Sequence, residues 1–274
     1  MHILKICTNR AWGGMEAHMV ATSAGLREHG FTVSTVCYPG SRIHRELTAR
    51  GFAPLLLKLW GKAHPLAVLR LARFIRRRRI DLVHCDFSRD LFTVVPALSL
   101  VPPLPLVLQK HVGTWRPKSL PVHHYLYRRV DHAIAISDCI ARNLVANHPL
   151  PAERVGVIHP GIDPSRFATT AGRREAIRRE LGVAAGDLLI GTVGRLSFAK
   201  GHREFLTMAG RLAAQRPAMR FVLVGEATFG ESDQAEAIRA QAEALDLGSR
   251  LRFTGYRQDV PDVLAAMDVF VFPT

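Results

Sequence analysis

Leu188-Leu189-Ile190-Gly191-Thr192-Val193-Gly194-Arg195-Leu196-Ser197-Phe198-Ala199-Lys200-Gly201 is the stretch on which the reading of this chain turns. Its first six residues form a short, partly β-branched apolar run bounded by glycine, the pattern of a buried strand. After Gly201 the apolar residues Phe205, Leu206, Ala209 and Leu212 recur at helical spacing, so a helix begins there. A strand, a glycine-flanked loop and a helix start together make an anion site. Unpaired backbone N–H groups and the positive end of the helix dipole face the ligand, and Arg195 and Lys200 add two positive charges. A plain basic surface loop is the alternative, but it leaves the glycines on both sides of the Arg/Lys pair without a reason.

The same alternation extends in both directions. Downstream, strands at 220–224, 250–254 and 269–272 are separated by helices at 202–215, 234–245 and 260–266. Upstream, strands are expected at 3–7, 31–37, 54–59, 80–84, 105–110, 132–136 and 154–158. Helices are expected between them at 15–29, 42–50, 65–79, 91–100, 120–129 and 138–147. Such alternation predicts parallel sheets with helices on both faces. Between the two series, residues 159–175 hold Pro160, Gly161, Pro164 and Gly172 and little apolar content, the composition of a turn and linker. The expected organisation is a Rossmann-like domain over 1–165, a linker over 166–186 and a second Rossmann-like domain over 187–274, with a cleft between the two as the place for a ligand.

The 274 residues are 48% hydrophobic, enough for a real core, and carry a formal net charge of +14. Three kinds of partner suit that charge: nucleic acid, an anionic membrane surface and phosphorylated small molecules. Aromatic content of 7% and the lack of any RNA-binding or zinc-finger pattern argue against nucleic acid. The densest basic run, Arg76-Arg77-Arg78-Arg79, closes a helix that also carries Arg70 and Arg73; Lys58, Lys62, Lys110, Lys118, Arg128 and Arg129 lie elsewhere in the first half. Basic residues suit a helix C-terminus, and they equally suit a membrane surface. Apolar stretches such as 91–105 are interrupted by Ser and Pro short of the roughly 18 residues that a spanning helix needs. Residues 1–6 have no separate charged and apolar regions and do not read as a signal peptide. Cysteines 7, 37, 85 and 139 are widely spaced with no Cys-x-x-Cys, as expected of reduced thiols in a cytoplasmic protein.

Several landmarks now fall in a recognisable order: Gly13-Gly14-Met15-Glu16 after the first strand, His111 at a strand end, Ser137 opening a helix, Val157-Ile158-His159-Pro160-Gly161-Ile162-Asp163 with Phe167, Gly194-Arg195-Leu196 with Lys200-Gly201, Val224-Gly225-Glu226, Phe253-Thr254-Gly255-Tyr256 and Asp268-Val269-Phe270-Val271-Phe272-Pro273-Thr274. The chain resembles the retaining glycosyltransferases of family 4, which have the GT-B fold: two Rossmann-like parallel-sheet domains facing a cleft. Pro160 stands where that family usually has Asn. The family continues past its Pro-Ser or Pro-Thr turn into a segment with two glutamates, one of which holds the donor. The expectation is therefore a second domain that is incomplete, loosely folded and weak or inactive in transfer.

The resemblance implies a sugar moved with retention from a nucleotide-sugar to a glycan or lipid-linked acceptor, such as a lipopolysaccharide or other cell-envelope glycan, in the cytoplasm or at the inner face of the membrane. It places Arg195 and Lys200 on the donor diphosphate, where charge grows as the glycosidic bond breaks. Gly13 and Gly14 would give backbone access to the phosphates, and Gly225, Glu226, Tyr256 and Arg257 would line the nucleotide-sugar site. His111 would contact the sugar or orient the acceptor, and Glu16 would touch the acceptor. The residue chemistry keeps bland alternatives open: a satisfied structural histidine at 111, simple packing for Tyr256, a dipole partner for Glu16 in the first helical turn. His84 with Asp86 at a neighbouring strand end is a lesser candidate pair. No cluster has metal-ligand spacing, and the resemblance implies no metal or other cofactor. The competing functional reading is a catalytically inactive nucleotide-binding or membrane-associated fragment; an epimerase or phosphorylase of the same fold is a further one.

Overall fold

The computed structural model describes residues 1–59, 64–168 and 171–273. Lys62 of the basic set, residues 169 and 170 of the expected linker, and Thr274 of the last landmark lie outside the described residues. The chain divides into two compact units, Met1–Gly161 and Ile162–Thr274.

Unit 1 alternates without a break: β1 (His2–Cys7), α1 (Gly14–Glu28), β2 (Thr32–Cys37), α2 (Arg42–Ala49), β3 (Leu55–Leu56), α3 (Pro65–Arg78), β4 (Leu82–Cys85), α4 (Leu91–Leu98), β5 (Leu106–Lys110), α5 (Pro121–Arg128), β6 (His132–Ala135), α6 (Asp138–Asn147) and β7 (Val155–Val157). The seven strands run parallel in the order β3-β2-β1-β4-β5-β6-β7. The strand order reverses at β1 and β4, so the C-terminal ends of these two strands form the switch point where such sheets bind ligands. Parallel strands are covered on both faces, and the core follows that rule. One cluster packs Leu4, Ile6, Val83, Leu106 and Leu108 under α3 to α6. The other packs Cys7 and Cys37 with Met19, Val20 and Ala24 of α1 and Ile43 and Leu47 of α2. Local chemistry sets the helix ends: Ser41 and Ser137 accept the His44 and Ile140 backbone N–H as N-caps, and prolines open α3 and α5.

Unit 2 carries α7 (Ala171–Glu180), β8 (Leu188–Val193), α8 (His202–Gln215), β9 (Met219–Val224), α9 (Ser232–Ala244), β10 (Leu251–Gly255), α10 (Val260–Ala266) and β11 (Val269–Phe270). Its four strands are parallel in the order β10-β9-β8-β11.

The stretch 166–186 is not a linker. It contains α7, whose Ile177 packs with Leu181, Val183, Leu189, Val263 and Ala266 in one buried cluster of unit 2. Its arginines complete the attachment: Arg174 and Arg178 reach the Asp268 carboxylate at 2.5 and 2.9 Å, and Arg178 donates to the Asp187 carbonyl at 2.7 Å. A helix fastened mostly by guanidinium groups has little apolar periodicity to show in sequence. The expected strands 54–59 and 269–272 shrink to the pairs β3 and β11. Three cysteines are buried and Cys139 is exposed, all unpaired. Among the described residues no helix is long and apolar enough to cross a membrane.

Candidate functional site

In unit 2 the C-terminal ends of β8, β9 and β10 are pinned by glycines. Gly194 N–H donates to Val224 O at 2.9 Å, Leu196 N–H to Glu226 O at 3.0 Å, and Gly225 N–H to Gly255 O at 2.9 Å. Gly225 has φ +137°, and a Cβ there would stand 1.9 Å from Gly194 O. Its role is thus close backbone approach, which no other residue permits. The loop after β8 then runs into α8 through Gly201, which has φ +66° and meets Pro273 O where a Cβ would sit, at 2.0 Å. The buried imidazole of His202 holds the loop from below, bonded to Arg195 O at 2.7 Å. No side chain caps α8, so its first N–H groups keep their capacity for an anion.

Lys200 Nζ lies 5.5 Å from the centre of the Phe272 ring, and among the described residues it has no carboxylate partner. Arg195 is differently placed. Its guanidinium donates to Glu231 Oε1 at 2.7 Å, while Glu231 Oε2 is buried with no hydrogen-bond partner. Glu226 and Tyr256 are exposed at the same edge. Arg257, expected to contact the nucleotide, does something else. It is bound through Nε and Nη2 to Asp259 at 2.9 and 2.6 Å and through both terminal nitrogens to Glu180 of α7. Those bonds, to Asp259 first, hold the guanidinium above even its ordinary basicity and Asp259 below the usual carboxylate range. A guanidinium fully engaged by two carboxylates fastens the β10–α10 loop to α7.

In unit 1 the switch point holds a buried polar group. Lys5, between the apolar residues Ile3-Leu4 and Ile6-Cys7 of β1, donates to Asp86 just beyond β4, with Nζ 2.9 Å from Oδ1 and 2.8 Å from Oδ2. Both side chains have zero exposure. His84 Nε2 meets Gln109 Oε1 at 3.0 Å, and Gln109 Nε2 reaches His18 Nδ1 at 3.5 Å. The His18 ring stands edge-on to His111, with centroids 5.1 Å apart. Burial pushes His84 and His111 down to about 4 and lowers His18 as well, with the Lys5 charge adding to the effect at His84 and His18. All three imidazoles are therefore neutral near pH 7. His111 Nε2 is buried and makes no hydrogen bond.

The ligand atoms of His18, Asp86 and His111 lie within 4.8 Å of one another, a spacing that could take a cation. Lys5 already neutralises Asp86, however, so a metal ion there would have to displace a buried ammonium.

The loop after β1 is tied down on both sides. Asp90 accepts the Thr8 backbone N–H at 2.8 Å and the Thr8 hydroxyl, and burial pushes this carboxyl up to about 7. Glu16 is buried in the first turn of α1 and accepts from Asn9 Nδ2 at 2.5 Å, so in this structure it orders the loop. Gly13 is the N-cap of α1 in extended conformation, with no capping side chain. A Cβ on Gly14 would meet nothing within 4 Å. Packing in unit 1 gives no reason for glycine at that position. Lys5, His18 and Gln109 escape a motif reading; the one signal in sequence is a lysine in the middle of the apolar run Ile3-Leu4-Lys5-Ile6-Cys7.

Residues 12–166 match the family model described as Glycosyltransferase Family 4, and residues 173–274 match that of Glycosyl transferases group 1. The chain belongs to glycosyltransferase family 4. This glycosyltransferase is 29% identical over 297 residues to the 2-deoxystreptamine N-acetyl-D-glucosaminyltransferase of Streptomyces fradiae, covering 96% of this chain and 70% of that protein. It is 28% identical over 149 residues to a lipopolysaccharide core biosynthesis mannosyltransferase of Rhizobium meliloti, covering 54% of this chain and 40% of that one. Among solved structures, the Anabaena protein HepE in complex with UDP-glucose superposes with a TM-score of 0.81 at 23% identity, over 99% of this chain and 73% of that one. The GT-B architecture expected from the sequence is thereby established for this glycosyltransferase.

Proposed function

We propose that this glycosyltransferase moves a sugar, with retention of configuration, from a nucleotide-sugar donor held by unit 2 to a glycan or lipid-linked acceptor held by unit 1. One observation carries the reading: Lys200, without a carboxylate partner, stands at the uncapped N-terminus of α8 on a loop whose shape two glycines fix. Charge that accumulates on the donor's outer phosphate during bond cleavage is stabilised by fixed donors placed there in advance. Lys200 and the α8 N–H groups are such donors. Arg195 joins them as a bidentate partner when the diphosphate competes with Glu231 for its guanidinium. These cations supply the positive charge, so the proposal needs no metal ion or other cofactor. The exposed Glu226 and Tyr256 are assigned to the nucleotide-sugar, and Gly13 and Gly14 to backbone contact with it.

The acceptor side is assigned to the neutral His18–His111 pair over the Lys5–Asp86 ion pair. The Streptomyces and Rhizobium relatives are named for a small aminocyclitol and for a lipopolysaccharide core, both polyhydroxylated acceptors. A neutral His111 whose Nε2 lacks a partner can bond a sugar hydroxyl. His111→Ala is accordingly expected to lower transfer about 10²-fold while the affinity for UDP, measured by calorimetry, stays within about twofold. Transfer at the parent rate would return His111 to a structural role.

We also place the protein at the cytoplasmic face of an anionic membrane, by way of α3. There Leu66 and Leu69 are 76% and 57% exposed, and Arg70, Arg73, Arg76 and Arg77 are exposed beside them. Each well-placed Arg contributes about 1 kcal/mol at such a surface. Binding to vesicles containing phosphatidylglycerol is expected to exceed that to neutral vesicles and to vanish near 1 M salt, where the Debye length falls to about 3 Å. Equal partition into both vesicle types would remove the membrane from the proposal.

A further inference from the structure

A second polar site in unit 1 is used by none of the chemistry above. Along β5, Gln109 points to His18, and Lys110, next in the strand, points to the opposite face of the sheet. Its ammonium donates to Ser88 Oγ at 3.2 Å. On that side the Tyr127 ring of α5 packs on His148, just past α6, with centroids 4.9 Å apart, and the Tyr127 hydroxyl meets Ser88.

The loop of residues 112–120 closes over the end of α6. Thr114 N–H donates to Asn143 Oδ1 at 2.7 Å, Asn143 Nδ2 donates to Thr114 O at 3.0 Å, and Lys118 N–H donates to Asn147 O at 2.7 Å. The Lys118 backbone is thus fastened to Asn147, the residue before His148, and its charge lowers both Lys110 and His148.

Three features of this site are costly as they stand. Two ammonium groups share it, and among the described residues neither has a carboxylate partner. Lys110 is half-buried, and burial together with Lys118 pulls it down to about 8. His148 is 6% exposed, and although the Leu144 and Asn143 carbonyls lie near its ring, neither nitrogen closes a hydrogen bond. An anion would remove all three costs, because it compensates both ammonium charges and offers an acceptor to the imidazole N–H. A phosphate group has the charge and the several acceptor oxygens to do this at once.

We propose that Lys110, Lys118 and His148 form a phosphate-binding subsite for a phosphorylated acceptor. The assignment to the acceptor rests on the reading that unit 1 is the acceptor side. The phosphate itself can belong to a soluble sugar phosphate or to a lipid headgroup.

The test is calorimetric titration of the whole chain at constant ionic strength. UDP is present at saturation, so that the donor loop of unit 2 is filled. The probes are inorganic phosphate, an inositol phosphate, and vesicles containing phosphatidic acid, with chloride as the reference anion. Binding of inorganic phosphate is expected, weakened about tenfold or more in Lys110→Met/Lys118→Gln and severalfold in Lys118→Gln alone. Lys118→Gln keeps the backbone bond to Asn147, so it carries the test should the double variant not fold. Tighter binding of the inositol phosphate than of free phosphate identifies a soluble acceptor, and a vesicle affinity lost in the same variants identifies a lipid headgroup. Phosphate acting no differently from chloride, or Lys118→Gln binding it as the parent does, would overturn the subsite. UDP affinity, measured separately in each variant, is expected to be unchanged; it tests the donor reading alone, so the two readings fail separately.

Discussion

Enzyme carrying Lys200→Ala is expected to turn over about 10²–10³ times more slowly than the parent, the cost of removing one donor from a preorganised oxyanion-type site. The loop around it should survive the change. Its shape is set by Gly201, by the bond from Leu196 N–H to Glu226 O and by the His202 imidazole on Arg195 O, none of which involves the Lys200 ammonium. Arg195→Ala is expected to act in the same direction, with one difference. Arg195 is bound to Glu231 at 2.7 Å, so its loss also leaves a half-buried carboxylate without its partner. Glu231→Gln should have the opposite effect on donor affinity, because it frees the guanidinium for the diphosphate. Steady-state kinetics with UDP calorimetry on these three variants separates binding from turnover. Unchanged kcat in Lys200→Ala would sink the donor assignment.

The second large effect concerns stability. Lys5→Met should destabilise unit 1 by about 3–5 kcal/mol, since it leaves the Asp86 carboxylate buried without its partner. Adding Asp86→Leu should restore most of that loss, because the desolvation cost of the pair disappears along with its attraction. Trp12 and Trp115 lie in unit 1, and no tryptophan follows residue 161 in the sequence, so tryptophan fluorescence during urea unfolding reports on that unit. A cost below about 1 kcal/mol for Lys5→Met would mean that water reaches Asp86. The double variant bears on function as well. Asp86 lies within 4.8 Å of His18 and His111 ligand atoms, so a stable but slow double variant would show that the ion pair positions the two rings as well as holding the sheet.

Much of the fold could be read from short-range patterns. Helices α6, α8 and α10 begin and end at the residues expected from apolar spacing, and Ser137 caps α6. The strand–loop–helix junction from Gly194 to Gly201 was legible because strand, glycines and helix start are contiguous. Arg257 illustrates where that reading stops. Its position just after the Phe253–Tyr256 landmark gives no sign that Glu180, 77 residues earlier, faces it. The stretch 166–186 was misread for a related reason: α7 is attached by Arg174 and Arg178 to Asp268 and to backbone carbonyls, and such contacts leave no periodic trace.

The sequence by itself determined the alternation of strands and helices and the two parallel sheets, because these follow from residues a few positions apart, and the order of its landmarks determined the family. The tertiary structure alone decided which charges meet. Lys5 finds Asp86 across 81 residues because β1 and β4 are neighbours in the sheet, and Arg195 finds Glu231 across 36 because β8 and β9 are. In parallel sheets adjacent strands are joined by long crossovers. The partners of a buried charge are therefore distant in the chain and are fixed only when the sheet assembles.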